Sequence, residues 1–311
     1  MKTNNVGPKT SAYKVFSVVI LVILAVMFVF PLYWIVTGAF KPAADIYAQE
    51  PVFWPTEWVM DNFNAMLARR SAPLWEMHVP FSQWFTKDHV AITFSTGPTA
   101  PAAFRWLINA VFMSAMAMLL TCLTAAMAGY ALAKKRFRGR AILFGLIICA
   151  MALPKQVILI PLLKEMNFLK FIDTLWAVIF PTVGWPFGVF LMKQFSESIP
   201  GEILEAARVD GSSEIRTFNT IVFPMVKPGV GALAIFTFIN CWNDYFMQLI
   251  MLTSGSNYTM PLGVATLQAE TSIDMGLLMA GAAFAALPII IVFLIFQKYF
   301  TQGITMGAVK G

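Results

Sequence analysis

Long apolar runs alternate with shorter polar stretches along this chain of 311 residues. A helix needs about 20 apolar residues to cross a bilayer. Six runs come near or exceed that length: residues 15–40, 104–133, 141–163, 175–191, 229–252 and 276–300. The pattern predicts an all-α membrane protein with six transmembrane helices. We expect the first run to be a retained anchor, because it is too long for the apolar part of a signal peptide and no small-residue cleavage site follows it.

The fourth run is short and contains residues that interrupt helices. Pro181, Gly184, Pro186 and Gly188 all lie inside it. Such residues are tolerated in a membrane helix when neighbouring groups satisfy the freed backbone hydrogen bonds. We therefore still expect the fourth run to cross the membrane.

Composition supports a lipid environment. Hydrophobic residues make up 59% of the chain and charged residues only 12%, whereas soluble domains carry roughly 25% charged residues. A surface with so few charges cannot face water everywhere.

The placement of Lys and Arg predicts the orientation. Residues 134–140, KKRFRGR, contain five basic residues and no acid, and such loops stay in the cytoplasm. The tail 1–14 is also basic, with Lys2, Lys9 and Lys14. Both tails, 1–14 and 301–311, and the loop 195–228 are then cytoplasmic, while residues 41–103, 164–174 and 253–275 face outward. This topology explains the net charge of +6 without a nucleic-acid partner.

The sequence contains no recognisable catalytic or metal-binding constellation. Cys122, Cys149 and Cys241 lie in apolar runs without metal-site spacing, and the two histidines, His78 and His89, share one loop. HExxH, a nucleophile elbow and the GxxxxGK[ST] phosphate loop are all missing from the sequence. We expect a non-catalytic chain that binds no metal, cofactor or ATP itself.

The polar loop 195–228 predicts two short helices with a break between them. A start signal at residues 198–200 precedes PGEILEAARV, and Asp210-Gly211 is a stop signal because Gly tolerates a left-handed backbone. Ser212 or Ser213 can cap the second helix, and Pro224 is expected near its end. The residues alone leave two interpretations open: an amphipathic hairpin in the membrane interface, or a helix that enters a groove on a cytoplasmic partner.

The spacing within this loop matches a known motif. Glu205-Ala206-Ala207 is followed after three residues by Gly211, and after nine more by Ile221-x-Phe223-Pro224. This resembles the EAA motif of bacterial ABC importer permeases, with Phe223 where Leu is usual. From residue 105 to 311 the chain resembles the carbohydrate-uptake permeases related to the maltose transporter's smaller membrane subunit. NCWNDYFMQLIML, YTMPLGVATLQAE and QKYFTQGITMGAVKG carry that likeness, and residues 69–101 look like an enlarged first outer loop.

The resemblance implies a type I ABC importer permease in the bacterial inner membrane. The chain would be one transmembrane subunit of an ATP-driven, binding-protein-dependent sugar importer. Its implied partners are a second, different permease, two copies of an ABC ATPase subunit that bind ATP and Mg, and a periplasmic or lipid-anchored substrate-binding protein.

Carried over residue by residue, the resemblance assigns two contact regions. Contact with the ATPase is implied for Glu205, Ala206, Ala207, Asp210, Gly211, Ile221 and Pro224. Contact with the binding protein is implied for Tyr258, Met260, Pro261, Leu262 and Gly263, although an interfacial loop is the alternative there. The tail 303–311 either contacts the ATPases or is a frayed end.

Polar residues inside the spans are candidates for the translocation path, since such residues are costly in lipid unless used or paired. In the fifth span these are Asn240, Trp242, Asn243, Asp244 and Tyr245; interhelical hydrogen bonding is the alternative. Lys155, in LPKQVILIP, could snorkel outward, pair with Asp244 or meet an anionic substrate. Related permeases usually lack Lys in this stretch, which favours an acidic sugar.

An ion-gradient-driven secondary transporter is the competing function. Such transporters often consist of two similar halves with helices broken at matching positions. We find no internal repeat in this sequence, and six spans are few for that class.

Overall fold

The computed structural model describes residues 12–74, 76–79, 92–95, 97–270 and 274–308. Most of the predicted tail 1–14, the loop residue His89 and residues 309–311 lie outside this part of the chain. The helices are α1 (Ala12–Ala39), α2 (Ala43–Ile46), α3 (Asp61–Ala68), α4 (Ala102–Lys134), α5 (Arg140–Met151), α6 (Lys155–Phe168), α7 (Trp176–Val183), α8 (Pro186–Glu197), α9 (Gly201–Val209), α10 (Glu214–Thr217), α11 (Phe223–Asn243), α12 (Tyr245–Met251), α13 (Met260–Glu270) and α14 (Met275–Ala308). A π-helical turn, Phe218–Val222, joins α10 to α11.

Four helical segments are individually long and apolar enough to cross a membrane. They are Lys14–Ala39, Ala102–Lys134, Glu214–Asn243 and Met275–Lys298. Two bent pairs, α5 with α6 and α7 with α8, bring the number to as many as six if each pair counts as one span. The mostly helical membrane architecture is confirmed, whereas the six-span count and the orientation stay predictions.

The helices differ from the predicted spans mainly because two of those spans are broken. The predicted span 141–163 is wrong as a continuous helix, since α5 and α6 meet at a bend of 107°. Pro154 immediately precedes α6, and a proline disfavours helical backbone in the residue before it. The α7–α8 pair bends by 40° for the same reason: Trp185 is extended in front of Pro186, the first residue of α8.

The start of the fifth span was also predicted wrongly. Helical backbone runs from Glu214 to Asn243, so the second short helix of the polar loop does not end near Pro224. The π turn makes this possible, because the N–H of Phe223 bonds to the carbonyl of Phe218, five residues back. That register shift lets Pro224, which has no N–H, lie in the first turn of α11.

The first outer loop contains strands, which corrects the all-α prediction. β1 (Ser71–Pro73) pairs antiparallel with β4 (Thr99–Pro101), and β2 (Glu76–Val79) pairs with β3 (Ile92–Ser95). The described residues of the enlargement predicted at 69–101 thus include two short antiparallel strand pairs. The predicted outer loop 253–275 likewise contains a helix, α13.

The chain divides into two compact units, Met1–Met66 with Thr271–Phe284 and Leu67–Glu270 with Ala285–Gly311. In the first unit, Ala39, Ala280 and Ala283 form a small core with flanking side chains that include Phe40 and Met279. The middle of α1 stays exposed all round, from Val15 (56%) to Phe28 (74%). A helix that is apolar on every face is typical of lipid or subunit contact.

In the second unit, α4 is the central helix and packs against α7, α8, α11 and α13. Small residues permit the closest crossing. A Cβ atom added to Gly129 would lie 2.6 Å from the backbone of Met192 and of Lys193, so α4 and α8 touch almost backbone to backbone. Such contacts through small residues are typical of helix packing in membranes.

Candidate functional site

The EAA segment forms the predicted helix and ends at the predicted glycine. α9 stops at Val209, and Gly211 has φ of 71°. The N–H of Ser212 bonds to the carbonyl of Ala207 (2.9 Å), and the N–H of Gly211 bonds to that of Arg208 (3.0 Å). These two bonds are a Schellman motif, which requires left-handed backbone at Gly211. Asp210 is the C-cap residue between them.

A capped second helix follows the turn at once. Ser213 is the N-cap of α10, and its hydroxyl accepts a hydrogen bond from the N–H of Arg216 at 3.4 Å. Of the two serines considered for this position, Ser213 is therefore the cap. Ile221 lies in the π turn with a partly buried side chain, and Pro224 is exposed in α11.

The turn between α9 and α10 exposes apolar side chains at its tip. Val209 is 88% exposed and Ile215 is 76% exposed. Glu205 and Ala206 are also exposed, whereas Ala207 faces inward with a relative exposure of 5%. The helix pair α9–α10 thus presents part of the EAA motif and two aliphatic side chains outward, Val209 from α9 and Ile215 from α10.

The basic loop after α4 fixes the position of this helix pair. Nζ of Lys134 donates to the carbonyls of Glu197 (3.1 Å) and Ile199 (2.6 Å), at the end of α8. Lys135 pairs with the carboxylate of Glu214, the first residue of α10. Two residues of the basic loop therefore tie the end of α4 to both sides of α9.

A second site lies where three helices are broken. A cavity of about 420 Å³ is lined by residues at the α5–α6 break, at the α7–α8 break and at the α11–α12 break. Its lining includes Leu153, Gly184, Trp185 and Asp244, which lie in or next to those breaks. Broken helices in membrane proteins are tolerated where they line a cavity or are buried in protein.

The buried side chain of Gln248 satisfies the break between α11 and α12. Its Nε2 donates to the carbonyls of Cys241 (3.0 Å) and Trp242 (3.1 Å), which are freed where α11 ends. Its Oε1 accepts a hydrogen bond from the hydroxyl of Thr259. Since its donors and acceptor are all used, Gln248 holds the break in place.

The cavity brings together three of the predicted path residues. Lys155, Asn240 and Asp244 all line it, and Nζ of Lys155 lies 3.2 Å from Oδ2 of Asp244. Of the three alternatives considered for Lys155, the structure contains the ion pair. The pair is only partly buried, with side-chain exposures of 50% for Lys155 and 19% for Asp244.

The other three path candidates lie elsewhere. Trp242 is 1% exposed and stacks on Phe238, with ring centroids 5.7 Å apart. Tyr245 packs against a buried cluster of apolar residues. Asn243 is exposed but is not part of the cavity lining.

Sequence reasoning missed two aromatic residues of the cavity. Trp185 and Phe187 line it, and their ring centroids are 4.9 Å apart. The signal was present in the sequence, because Trp185 stands between Gly184 and Pro186 at an evident helix break.

The loop 253–259 is held by hydrogen bonds to Asp173 on one side. Oδ1 of Asp173 accepts from the N–H groups of Thr253 and Ser254, both at 2.8 Å, and Oδ2 accepts from the hydroxyl of Ser254. Nδ2 of Asn257 donates to the backbone carbonyl of Asp173 at 2.6 Å. Partial burial opposes the charge of Asp173, but these hydrogen bonds outweigh it and lower the pKa of the carboxyl below its usual value.

On its other side the loop is held by the start of α4. The indole N–H of Trp106 donates to the carbonyl of Gly255 at 2.8 Å. Nδ2 of Asn109 donates to the carbonyls of Ser256 (2.8 Å) and Tyr258 (2.9 Å), and Nε of Arg105 donates to that of Ser256 (3.2 Å). The loop 253–259 is thus held by Asp173 on one side and by the start of α4 on the other.

Burial divides the five candidates for contact with a binding protein. Met260 and Leu262 are 0% and 1% exposed, and Gly263 packs against the ring of Trp106. These three lie in or at the start of α13, whose burial against α4 the sequence did not predict. Tyr258 and Pro261 keep partly exposed side chains.

Comparison with known proteins supplies the family. The model of a family described as "Binding-protein-dependent transport system inner membrane component" matches residues 123–306. An arabinooligosaccharides transport system permease protein of Bacillus subtilis is 30% identical over 305 residues, which cover 98% of this chain and 99% of the relative. A diacetylchitobiose uptake system permease protein of Streptomyces coelicolor is 27% identical, with 93% and 95% covered. A trehalose/maltose transport system permease protein of Thermococcus litoralis is 30% identical, with 66% and 75% covered.

A solved structure has the same fold. A chain of a bacterial ABC transporter involved in the import of the acidic polysaccharide alginate superposes with a TM-score of 0.70 at 20% sequence identity. The match covers 93% of this chain and 96% of that one. This likeness establishes the architecture of the chain.

Proposed function

The chain belongs to the family of binding-protein-dependent transport system inner membrane components, and from this premise we propose that it is one of two different permease subunits of an ATP-driven sugar importer. The relatives reported above are named for the transport of sugars and oligosaccharides. A sugar or oligosaccharide is therefore the substrate class, and the chain is a multi-pass, non-catalytic membrane subunit. Hydrolysis of ATP, with its Mg, belongs to the partner ATPase subunits.

The observation that carries the proposal is the outward presentation of the EAA helix. Val209 and Ile215 are aliphatic, highly exposed and flank the polar turn between α9 and α10, so water is an unfavourable environment for them. A soluble ATPase with an apolar cleft would cover them, while Glu205 and Ala206 contact the rim of that cleft. Leu204 and Ala207 pack α9 against the rest of the chain. Movement of the ATPase against the exposed face of α9 would therefore move the helices packed behind it.

The continuous helix after the EAA turn gives a route for that movement. Helical backbone runs for 30 residues from Glu214 to Asn243, which is about 45 Å at 1.5 Å per residue. One end is tied to α4 through the Lys135–Glu214 ion pair, and the other ends at Asp244 in the cavity. Movement of the EAA turn with the ATPase dimer would therefore change the cavity, which is how ATP binding would select the inward- or outward-facing state.

Two further surfaces suit the remaining partners. The face of α5 is highly exposed and aliphatic, with Ile142 at 71% and Leu146 at 62%, and a second permease would complete the path on such a face. The rigid loop 253–259, with Tyr258 and Pro261 partly exposed beside it, is the surface offered to a substrate-binding protein.

The experiment that tests this function is reconstitution with separated energy sources. The chain is co-reconstituted in liposomes with its second permease, ATPase and binding protein, and sugar uptake is measured. We expect uptake to require internal ATP and every partner, and to continue when ionophores collapse the ion gradients. Uptake by this chain alone that stops when the gradients collapse would instead establish the secondary transporter.

A further inference from the structure

We propose that the cavity at the three helix breaks is a subsite for the carboxylate of an acidic sugar, with Lys155 as the residue that binds the carboxylate. This inference rests on the proposed function, and it adds the charge of the substrate. The observation behind it is that the Lys155–Asp244 ion pair and the rings of Trp185 and Phe187 line the same cavity.

The size of the cavity suits part of an oligosaccharide. Its volume of about 420 Å³ lies within the roughly 300–1,000 Å³ typical of small-molecule sites. Trp185 and Phe187 contribute an apolar wall, against which the C–H face of a sugar ring can pack. Asn240 adds an amide that can hydrogen-bond to hydroxyl groups.

The two members of the ion pair differ in their partners and in their exposure, and the difference favours binding of an anion by Lys155. Oδ1 of Asp244 accepts a hydrogen bond from the N–H of Met247 at 3.4 Å, and Oδ2 pairs with Lys155. Asp244 therefore has a partner on its own helix as well as the ammonium group. Lys155 has a flexible stem, three donor protons and a side chain that is half exposed, against 19% for Asp244.

Exchange of partners follows from this arrangement. An arriving carboxylate can take one or two of the donor protons of Lys155 while Asp244 keeps its bond to Met247. Without substrate, Asp244 neutralises the lysine, which would otherwise be a costly isolated charge in a membrane protein. A cationic amino sugar would have to reach Asp244, the less exposed member of the pair, and displace Lys155 from it.

If the pair only joined α6 to α12, its members would be interchangeable in their effect. A partly exposed ion pair contributes little to stability, about 0–1 kcal/mol. Loss of either charge would then lower the uptake of all sugars alike. If the cavity is a carboxylate subsite, loss of the lysine should lower the uptake of acidic sugars more than that of neutral ones, and loss of the aspartate should not.

The test uses the full complex with its binding protein in liposomes and a defined mixture of probes. The mixture contains di- and trisaccharides of galacturonate, mannuronate, glucose, arabinose and glucosamine, and internal sugars are quantified by mass spectrometry. We expect the wild-type complex to accumulate a uronate oligosaccharide. Accumulation of neutral or amino sugars only would overturn the inference while leaving the proposed importer intact; accumulation of no sugar with ATP would contradict the proposed function and this inference with it.

Variants then assign the selectivity to the cavity. Lys155→Gln should slow uptake of the acidic sugar roughly tenfold or more, the effect of losing a hydrogen bond to a charged group, and Lys155→Arg should restore most of it. Lys164→Gln is the matched control, because Lys164 is exposed on the same helix and does not line the cavity. Asp244→Asn should not lower the ratio of acidic to neutral sugar that is taken up, whatever its effect on the overall rate, because it keeps the lysine that binds the carboxylate.

The binding protein is the same in every variant, so differences between variants belong to the permease. Co-purification of the partner subunits with each variant checks that the complex assembles. If Lys155→Gln slowed the uptake of acidic and neutral sugars alike, the subsite would be overturned, since the loss of a purely structural ion pair does not distinguish between sugars.

Discussion

At the scale of single residues, Gly211 is the position where backbone geometry and function are most closely joined. Its φ of 71° closes the Schellman motif that ends α9, and an added Cβ would meet no atom within 4 Å. The requirement for glycine is therefore conformational and not steric. A substitution here tests the shape of the turn separately from the space around it.

Gly211→Val should reduce uptake severalfold while ATP hydrolysis continues. Left-handed backbone is unfavourable for an L-residue by about 1–2 kcal/mol, and a β-branched side chain adds to this strain, so the end of α9 would fray and transmit less of the ATPase movement. Gly211→Asn is the control, because Asn tolerates this region. The measurement is sugar transported per ATP hydrolysed in liposomes; wild-type coupling in the Val variant would contradict the role of the turn.

Asp173 is a second residue with positive φ, 61°, and its carboxylate fixes the outer loop. Asp173→Asn keeps a side chain that tolerates this backbone but removes the charge that strengthens three hydrogen bonds. We expect a loss of about 1 kcal/mol in stability at neutral pH, measured as a lower midpoint of thermal unfolding. Glu165→Gln, at an exposed position of α6, should show no such loss.

The pH dependence of stability follows from the direction of the pKa shift of Asp173. The folded-state pKa is lowered, so the carboxylate stabilises the fold fully above the unfolded value of about 3.9. That contribution is lost as the pH falls through the lower, folded-state value. The difference between the wild-type and Asp173→Asn midpoints should therefore be constant at pH 6–8 and begin to shrink as the pH falls below about 4; a constant difference down to pH 3 would contradict this assignment.

At the scale of elements, local signals in the sequence predicted the EAA helix and its turn correctly. Glycine at 211 and serine at 213 act on their own backbone neighbours, so no knowledge of the rest of the fold was needed. The faces of the fifth span could not be predicted in this way. Trp242 and Asp244 are two residues apart, yet packing buries the first in a core and the break at Asp244 turns the second toward the cavity.

The strands of the first outer loop are a second feature that the sequence pattern did not predict. They are three or four residues long, and short segments carry little periodic signal. Their pairing joins Ser71 to Pro101 across the loop, a contact between distant residues that hydropathy does not encode.

The crossing of α4 and α8 provides a prediction for helix packing. Gly129→Ala would place a methyl group 2.6 Å from the backbone of Met192, and a backbone atom cannot move aside as a flexible side chain can. We expect a loss of about 1–3 kcal/mol, the usual range for overpacking, seen in thermal unfolding of the purified complex.

Gly145→Ala is the matched control for this crossing. Gly145 lies inside α5, and an added Cβ there meets no atom within 4 Å. Alanine is the better helix former by up to about 1 kcal/mol, so this variant should be at least as stable as the wild type. Equal stability of the two variants would mean that α4 and α8 are not packed this closely.

At the scale of the whole molecule, orientation is the feature on which the proposed mechanism depends. The EAA turn has to face the ATPase, and the loop 253–259 has to face the binding protein, on opposite sides of the membrane. The segment Glu214–Asn243 lies between these two regions, so it has to cross the membrane. The EAA turn lies on the same side as residues 134–140 if each of the two bent pairs between them crosses once. The basic segment 134–140, which contacts α8 and α10 through Lys134 and Lys135, then marks the cytoplasmic side.

Labelling of single cysteines tests that orientation directly. In a background with Cys149→Ser, the remaining native thiols, Cys122 and Cys241, are buried and should react slowly. Thr253→Cys and Val209→Cys introduce thiols at two exposed positions. A membrane-impermeant maleimide added to spheroplasts should label Thr253→Cys at once and Val209→Cys only after the membrane is permeabilised. Labelling of Val209→Cys from outside, with Thr253→Cys labelled only after permeabilisation, would show that one bent pair re-enters instead of crossing, since this inverts both positions. Labelling of both from outside would show that the segment Glu214–Asn243 does not cross. Either result would contradict the importer mechanism.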